Sequence, residues 1–96
     1  MALKDSYDFD SLVNEAERMV LDELESQLAL SSGTCTCQDC VLDMAAYALN
    51  NVKPAYRVSL MGSVYARSPN KTEYTRDITR AVRDAIEKVK ANPSHD

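Results

Sequence analysis

Three cysteines lie within six positions of this chain, at Cys35, Cys37 and Cys40, and an apolar run with helical spacing follows them directly. Three thiolates spaced C-x-C-x-x-C can surround one soft ion such as zinc, but a closed tetrahedral site needs a fourth ligand. The candidates for that ligand are a water molecule, a partner chain, Asp39, Asp43 and His95. A second interpretation needs no metal, because Cys40 can pack as a small buried residue while the other two cysteines are loop thiols.

The length of 96 residues leaves room for one small core. We therefore expect a single domain over residues 1–96, with flexible tails at 1–10 and 92–96, and a homodimer as a common way for so small a domain to gain stability. No apolar stretch is long enough to span a membrane or resembles a signal peptide, so we expect a cytoplasmic protein. In a reducing cytosol, three cysteines this close together are thiols or metal ligands and not a disulfide framework.

Apolar residues at helical spacing predict two long helices and one short helix. The first helix is predicted over residues 11–30 with Asp10 or Ser11 as its N-cap, and Ser31-Ser32-Gly33 as its end signal. The second is predicted over about 39–50, which places Cys40 in the first turn, where the helix dipole favours a thiolate. The third is predicted from Thr72 to just before Asn92-Pro93. Its inward residues are predicted to be Ile78, Ala81, Val82, Ala85, Ile86 and Val89.

Residues 55–61 alternate in the period-two pattern of a strand. Tyr56, Val58 and Leu60 form the apolar side of that pattern, so Arg57 is predicted to face away from the core. The fold class is accordingly mostly α with a short extended or β segment. On the first helix, Val13, Leu21 and Leu30 widen the apolar surface beyond one stripe, which suits contact with a second subunit.

The net charge of −4 is unevenly distributed along the chain. Residues 1–31 carry eight acids, whereas no acid occurs between Asp43 and Glu73, and that interval holds four bases: Lys53, Arg57, Arg67 and Lys71. Bases interleaved with tyrosines suit a phosphorylated or otherwise anionic ligand. The overall acidic balance argues against DNA as the partner. The alternative interpretation is an ordinary surface strand whose tyrosines complete the core.

Enzymatic chemistry finds little support in the sequence. The one histidine, His95, is near the last residue, no glycine-rich phosphate loop follows a strand, and no set of serine, histidine and acid can be assembled. The pair Cys37 and Cys40 lacks the βαβ setting of a redox enzyme. We therefore expect a binding protein and not a catalyst.

The central residues resemble the late competence development protein ComFB family of bacteria. The resemblance covers about residues 11–65 and rests on Cys-Thr-Cys-x-x-Cys at 35–40, Asp43, Ala-Leu-Asn at 48–50 and Pro-x-Tyr at 54–56. It implies a small, mostly helical, intertwined homodimer without enzymatic activity. Members from Gram-positive bacteria are associated with competence and with metal at the cysteine cluster, and cyanobacterial-type members look like receptors for cyclic di-GMP.

Two functional hypotheses follow from the residues and this resemblance. In the first, a dimer binds cyclic di-GMP and presents a changed surface to an unidentified regulatory protein. The ligand-binding residues would be Lys53, Tyr56, Arg57, Tyr65 and Arg67, which supply cations for phosphate and planes for stacking on guanine. In the second, zinc at Cys35, Cys37 and Cys40 stabilises a dimeric adaptor protein that has no small-molecule ligand.

Overall fold

The computed structural model describes residues 2–58 and 71–93. A short helix α1 and a 3-10 turn, Phe9–Ser11, precede the main body of the fold. The elements in chain order are α1 (Leu3–Ser6), β1 (Val13–Asn14), α2 (Glu15–Leu30), α3 (Gln38–Leu49), β2 (Tyr56–Arg57) and α4 (Lys71–Ala91). The predicted fold class, mostly α with a short β segment, is confirmed.

The core lies where α2, α3 and α4 pack against one another. Helix α4 buries all six residues that its periodicity predicted, from Ile78 to Val89. Helix α2 contributes Ala16, Val20 and Leu24, and α3 contributes Cys40, Met44, Ala45 and Ala48. Most of these side chains are small, so the helix axes can approach closely and a chain of this length can still close a core.

The first long helix begins later than predicted. Its N-cap is Asn14, whose side-chain oxygen accepts a hydrogen bond from the amide of Ala16, and not Asp10 or Ser11. Asp8 instead caps the 3-10 turn by accepting from the amide of Asp10. Residues 11–14 therefore lie outside α2: Ser11 ends the 3-10 turn, and Val13 and Asn14 are in a strand, so Val13 does not extend the helix surface as predicted.

The two remaining helices match their predicted bounds closely. Helix α3 begins at Gln38 and ends at Leu49, each one residue earlier than predicted, and Cys40 lies in its first turn. Helix α4 begins at Lys71, so Thr72 lies inside the helix and is not its N-cap. Between α2 and α3, Gly33 has a φ of 73°, a left-handed conformation that suits glycine after a helix end.

Strands β1 and β2 form an antiparallel ribbon that pairs Val13 with Arg57 and Asn14 with Tyr56. The predicted orientation of β2 is wrong, because Arg57 is half-buried whereas Tyr56 and Val58 are exposed. The ribbon runs into the first turn of α2, and Arg57 turns toward that turn to meet the carboxylate of Glu15. The rest of the predicted strand, residues 59–61, lies outside the described residues.

Within residues 2–58 and 71–93, no helix is long and apolar enough to cross a membrane. Leu21 and Leu30 are exposed on α2, as an interface would require, and Leu30 is 90% exposed. The homodimer and the flexibility of residues 1–10 and 92–96 stay predictions.

Candidate metal centre and ligand-binding segment

The three cysteines converge at the start of α3. Cys35 is half-buried, Cys37 is exposed and Cys40 is buried, and their Sγ atoms all lie within 4.8 Å of one another. Cys37 is the N-cap of α3, and its Sγ accepts a hydrogen bond from the amide of Cys40 at 3.5 Å. The sequence positions therefore become a compact group of sulfurs, anchored by the buried Cys40 and open to solvent at Cys37.

This group fits three of the four positions around a zinc ion. Tetrahedral zinc with bonds of about 2.3 Å to sulfur holds its ligand atoms about 3.8 Å apart, so small rotations about χ1 suffice. No carboxylate or imidazole of the described residues joins the three cysteines in this group. Asp39 and Asp43, which were candidates for the fourth ligand, are outside it, and His95 lies beyond the part of the chain that the structure describes. The arrangement can thus bind a soft metal ion with one position left for a further ligand.

The candidate ligand segment, residues 53–57, follows α3 and is held by hydrogen bonds on two sides. The amide of Ala55 donates to the side-chain oxygen of Asn14 at 2.8 Å, and the amide of Glu15 donates to the carbonyl of Ala55 at 2.8 Å. On the other side, the hydroxyl of Tyr74 in α4 donates to the carbonyl of Lys53 at 2.7 Å. Pro54 lies between these anchors and restricts its own backbone and that of Lys53. The backbone of 53–57 is therefore held against both α2 and α4.

Glu15 is the electrostatic centre of this region. Its carboxylate accepts from Nε of Arg57 at 2.5 Å and from two nitrogens of Arg18 at 3.1 Å. The hydrogen bond from Arg57, followed by the one from Arg18, holds the pKa of Glu15 below its usual value of 4.5, although desolvation opposes that shift. Glu15 is therefore ionised at neutral pH, and it compensates the charge of Arg57.

The predicted ligand-binding residues that the structure describes differ in exposure and in their ion pairs. Lys53 is exposed and Tyr56 is 58% exposed, and both project from the anchored segment. Arg57 is half-buried and paired with Glu15. Tyr65 and Arg67 lie outside the described residues. The segment and the cysteines are at opposite ends of α3, whose twelve residues span about 18 Å, so they are two separate candidate sites.

Sequence reasoning missed the side chains that hold the segment, namely Asn14, Glu15 and Tyr74. No local pattern points to them, because each acts on a residue at least 21 positions away. Sequence reasoning also missed an open groove of about 540 Å³ on the exposed face of α4. It is lined by Thr72, Thr75, Arg76, Thr79, Arg80 and Arg83. The spacing of these arginines, i, i+4 and i+7, is visible in the sequence and was the available signal.

Comparison with known proteins identifies the family. A search of curated proteins found no match. Among solved structures, the chain is similar to the late competence protein ComFB from Bacillus subtilis, with a TM-score of 0.67 and 26% sequence identity over 86% of this chain and 92% of that one. The family model described as late competence development protein ComFB matches residues 13–93, which includes the last helix that the sequence resemblance did not reach. The chain therefore belongs to the late competence development protein ComFB family.

Proposed function

We propose that this chain is a cytoplasmic, non-catalytic regulatory protein that binds a cyclic dinucleotide, cyclic di-GMP first, and relays its presence to a protein partner. The observation that carries the proposal is that Lys53 and Tyr56, three positions apart, are both exposed on a backbone anchored to α2 and α4. An exposed aromatic ring on a fixed backbone loses little conformational freedom when a base stacks on it. Among the side chains that the structure describes, Tyr56 is not one of those packed against the helical core.

A cyclic dinucleotide matches the chemistry of this segment. It has two phosphodiester charges and two purine bases, so its receptor needs cations for phosphate and flat groups for stacking. Lys53 and Arg57 supply the cations in the proposal, and Tyr56 supplies a stacking surface. Tyr65 and Arg67 complete the proposed set from the same acid-free interval of the sequence.

The ion pair between Arg57 and Glu15 would let ligand binding change the contacts at the start of α2. A phosphate that takes the guanidinium of Arg57 replaces the Glu15 carboxylate, which then keeps its ion pair with Arg18. Glu15 is the first residue of α2. In this proposal, ligand binding is therefore coupled to the start of α2, and the differential contacts of Arg57 in the two states supply the coupling free energy.

Calorimetric titration of the full chain with cyclic di-GMP, cyclic di-AMP and GTP tests this function. We expect cyclic di-GMP to bind and Tyr56→Ala or Lys53→Ala to weaken it by about tenfold or more, because each removes a contact that only the ligand uses. Lys88→Ala is the matched control, since Lys88 is an exposed cation on α4 away from the segment. Absence of heat with all three nucleotides at micromolar protein ends the proposal.

The cysteine group favours a second function, a zinc-stabilised dimeric adaptor in competence with no small-molecule ligand. Its supporting observation is the convergence of three Sγ atoms within 4.8 Å. Elemental analysis of the purified protein distinguishes the two proposals, because a structural metal is stoichiometric with the chain and its removal destabilises a domain of this size. Stoichiometric zinc together with no nucleotide binding would favour the adaptor.

A further inference from the structure

The exposed face of α4 carries three arginines in one line, Arg76, Arg80 and Arg83, which we call the arginine stripe. We propose that the arginine stripe is a docking surface for an acidic α-helical segment of a protein partner. The threonines beside it, Thr72, Thr75 and Thr79, are short and exposed, so they leave the guanidinium groups accessible. Arginine is the cation most enriched in protein interfaces, because its planar fork binds carboxylates with two parallel hydrogen bonds.

Within residues 2–58 and 71–93, the charges on this face are only loosely paired with acids. Arg76 and Arg80 are four residues apart, and Arg80 and Arg83 are three apart, so neighbouring guanidinium groups repel one another along the helix. Asp77 contacts Arg80 and Asp84 contacts Arg83, but both pairs measure 3.9 Å, which is the outer limit of an ion pair. Among the described residues, Arg76 has no ion-pair partner. The stripe therefore keeps a positive potential that a complementary surface would neutralise.

The shape of the face selects the kind of partner. Small-molecule sites are concave and enclose most of their ligand, whereas this groove is open and one helix supplies all of its described lining. The interval from Arg76 to Arg83 is about two helical turns, or about 11 Å. A helix with carboxylates at i, i+4 and i+7 presents its charges with the same spacing. An extended acidic helix therefore matches both the line of the stripe and its sign.

Nucleic acid fits the surroundings less well. The chain has a net charge of −4, and residues 1–31, which include α2 beside α4, carry eight acids against two bases. Glu23 of α2 lies next to the stripe's helix, because Gln27 bonds both the Glu23 carboxylate and the carbonyl of Thr79. These carboxylates repel a dense polyanion but tolerate a partner helix whose acids lie on one face only.

The stripe is also connected to the candidate ligand segment. Tyr74, whose hydroxyl holds the carbonyl of Lys53, precedes Arg76 by two residues in the same helix. The inference rests on the proposed relay to a protein partner, to which it assigns an acidic helix, while docking itself requires no nucleotide. A single rigid helix thus joins the segment that would sense a ligand to the surface that would present the result.

A binding experiment with two designed peptides tests the stripe. Both are fluorescent alanine-rich helices of identical composition; in one, all glutamates lie on one face at i, i+4 and i+7, and in the other they are distributed around the helix. At an ionic strength of about 0.15 M, we expect the full chain to bind the one-faced peptide about tenfold more tightly, as fluorescence anisotropy measures it. Arg80→Glu should remove most of that preference, and Arg76→Gln should reduce it. Lys88→Glu, an equal charge change on another exposed face of α4, should leave it intact.

Several results would overturn the docking proposal. These are equal binding of the two peptides, an equal loss with Lys88→Glu, and displacement of the one-faced peptide by tripolyphosphate or duplex DNA at stoichiometric amounts. A change in sedimentation with Arg80→Glu would instead make the stripe an interface between copies of this chain. Loss of cyclic di-GMP binding with Arg80→Glu would make it part of a nucleotide site. Failure of wild-type protein to bind cyclic di-GMP, with peptide binding intact, contradicts only the proposed function.

Discussion

Arg57 donates its Nε–H to the carboxylate of Glu15, which lies 42 residues earlier in the chain. This bond closes the ribbon of β1 and β2 onto the first turn of α2. It lies beside two further bonds, from the amide of Ala55 to the Asn14 side chain and from the amide of Glu15 to the carbonyl of Ala55. Arg18 shares the same carboxylate from within the helix. The first turn of α2 and the segment after Pro54 therefore form one structural unit, and a substitution in either should alter the conformation of the other.

The Glu15 carboxylate should make the stability of the fold depend on acid. Its pKa is lowered in the folded chain, chiefly by Arg57, so its contribution is complete above the ordinary value of 4.5 and is lost as the pH falls through the folded-state value. We expect Glu15→Gln to lower the melting temperature at neutral pH and to flatten its decline below pH 4.5. Thermal melts of both proteins across the acid range measure this. Asp22→Asn, which removes an exposed carboxylate paired with Arg18 but not with Arg57, is the control. Parallel pH profiles for wild type and Glu15→Gln would contradict the assignment.

Asn14 has two structural roles that one substitution can remove together. Its side-chain oxygen caps α2 at Ala16 and accepts from the amide of Ala55. We expect Asn14→Ala to destabilise the fold by about 0.5–2 kcal/mol for the lost N-cap, and further because the part-buried amide of Ala55 loses its acceptor. Asn51→Ala is a suitable control, since its side-chain amide makes an exposed bond to the carbonyl of Tyr47. Urea denaturation should show a clearly larger loss of unfolding free energy for Asn14→Ala than for Asn51→Ala. Equal losses in the two variants would count against this dual role.

The helices were predictable because their signals are local. Every inward residue of α4 follows from the periodicity of its own sequence, and the glycine at 33 marks the end of α2. The start of α2 was not predictable in the same way. On local grounds Asp10 and Ser11 are N-cap candidates as good as Asn14. The choice is made by the pairing of Val13 with Arg57 and of Asn14 with Tyr56, which lie 44 and 42 positions later. Long-range pairing here overrides local capping preference.

In the candidate sites too, local sequence predicts some features and long-range contacts decide others. The cysteine group could be predicted from its spacing, since six consecutive positions at a helix start keep the sulfurs close whatever the rest of the fold does. The orientation of Arg57 could not be predicted, because period-two alternation gives which residues share a face but not which face is covered. Glu15 decides that question through an ion pair with no sequence signature.

The core of the helical layer should be sensitive at Met44, which is fully buried in α3. Met44→Ala removes side-chain atoms from a site enclosed by the other two helices, and we expect a loss of about 2–5 kcal/mol. Leu42→Ala in the same helix deletes a side chain that is 58% exposed, and we expect a change of about 0.5 kcal/mol. Chemical denaturation of the two variants measures both values. A small effect at Met44 would mean that the packing of α3 on α2 and α4 is looser than described.

The substitution Cys37→Ser distinguishes two contributions that Cys37 can make to stability, namely binding a metal ion and capping α3. Serine is a better N-cap than cysteine, so without metal the variant should be at least as stable as the wild type. With zinc present, only the melting temperature of the wild type should rise, because the wild type alone offers three sulfur ligands. Melting curves with zinc and with a chelator give the four values needed. If zinc raises both melting temperatures equally, or neither, the cysteines do not hold the ion. Cys40 is a poorer probe, since its burial makes any substitution destabilising.

Tyr74 should couple α4 to the ligand segment through one hydroxyl. Tyr74→Phe keeps the ring but removes the hydrogen bond to the carbonyl of Lys53, and we expect a loss of about 0.5–1.5 kcal/mol at neutral pH. Burial, followed by the charge of Asp77, raises the pKa of Tyr74 above 10.0, so ionisation is harder in the folded chain. Its contribution is therefore complete below pH 10.0 and declines as the pH rises above it, a decline that Tyr74→Phe should lack.

The control for Tyr74→Phe is Tyr56→Phe, because the ring of Tyr56 is exposed and should change stability little. Ligand binding should follow the same order as stability. If the proposed function holds, Tyr74→Phe should weaken cyclic di-GMP binding by loosening the backbone that presents Lys53 and Tyr56, since a less ordered segment must be fixed on binding. Tyr56→Phe keeps the stacking surface and should bind as the wild type does. Calorimetry on these two variants thus tests whether the anchored backbone, and not only the exposed side chains, contributes to the site. Unchanged affinity in Tyr74→Phe would place the site elsewhere on the chain.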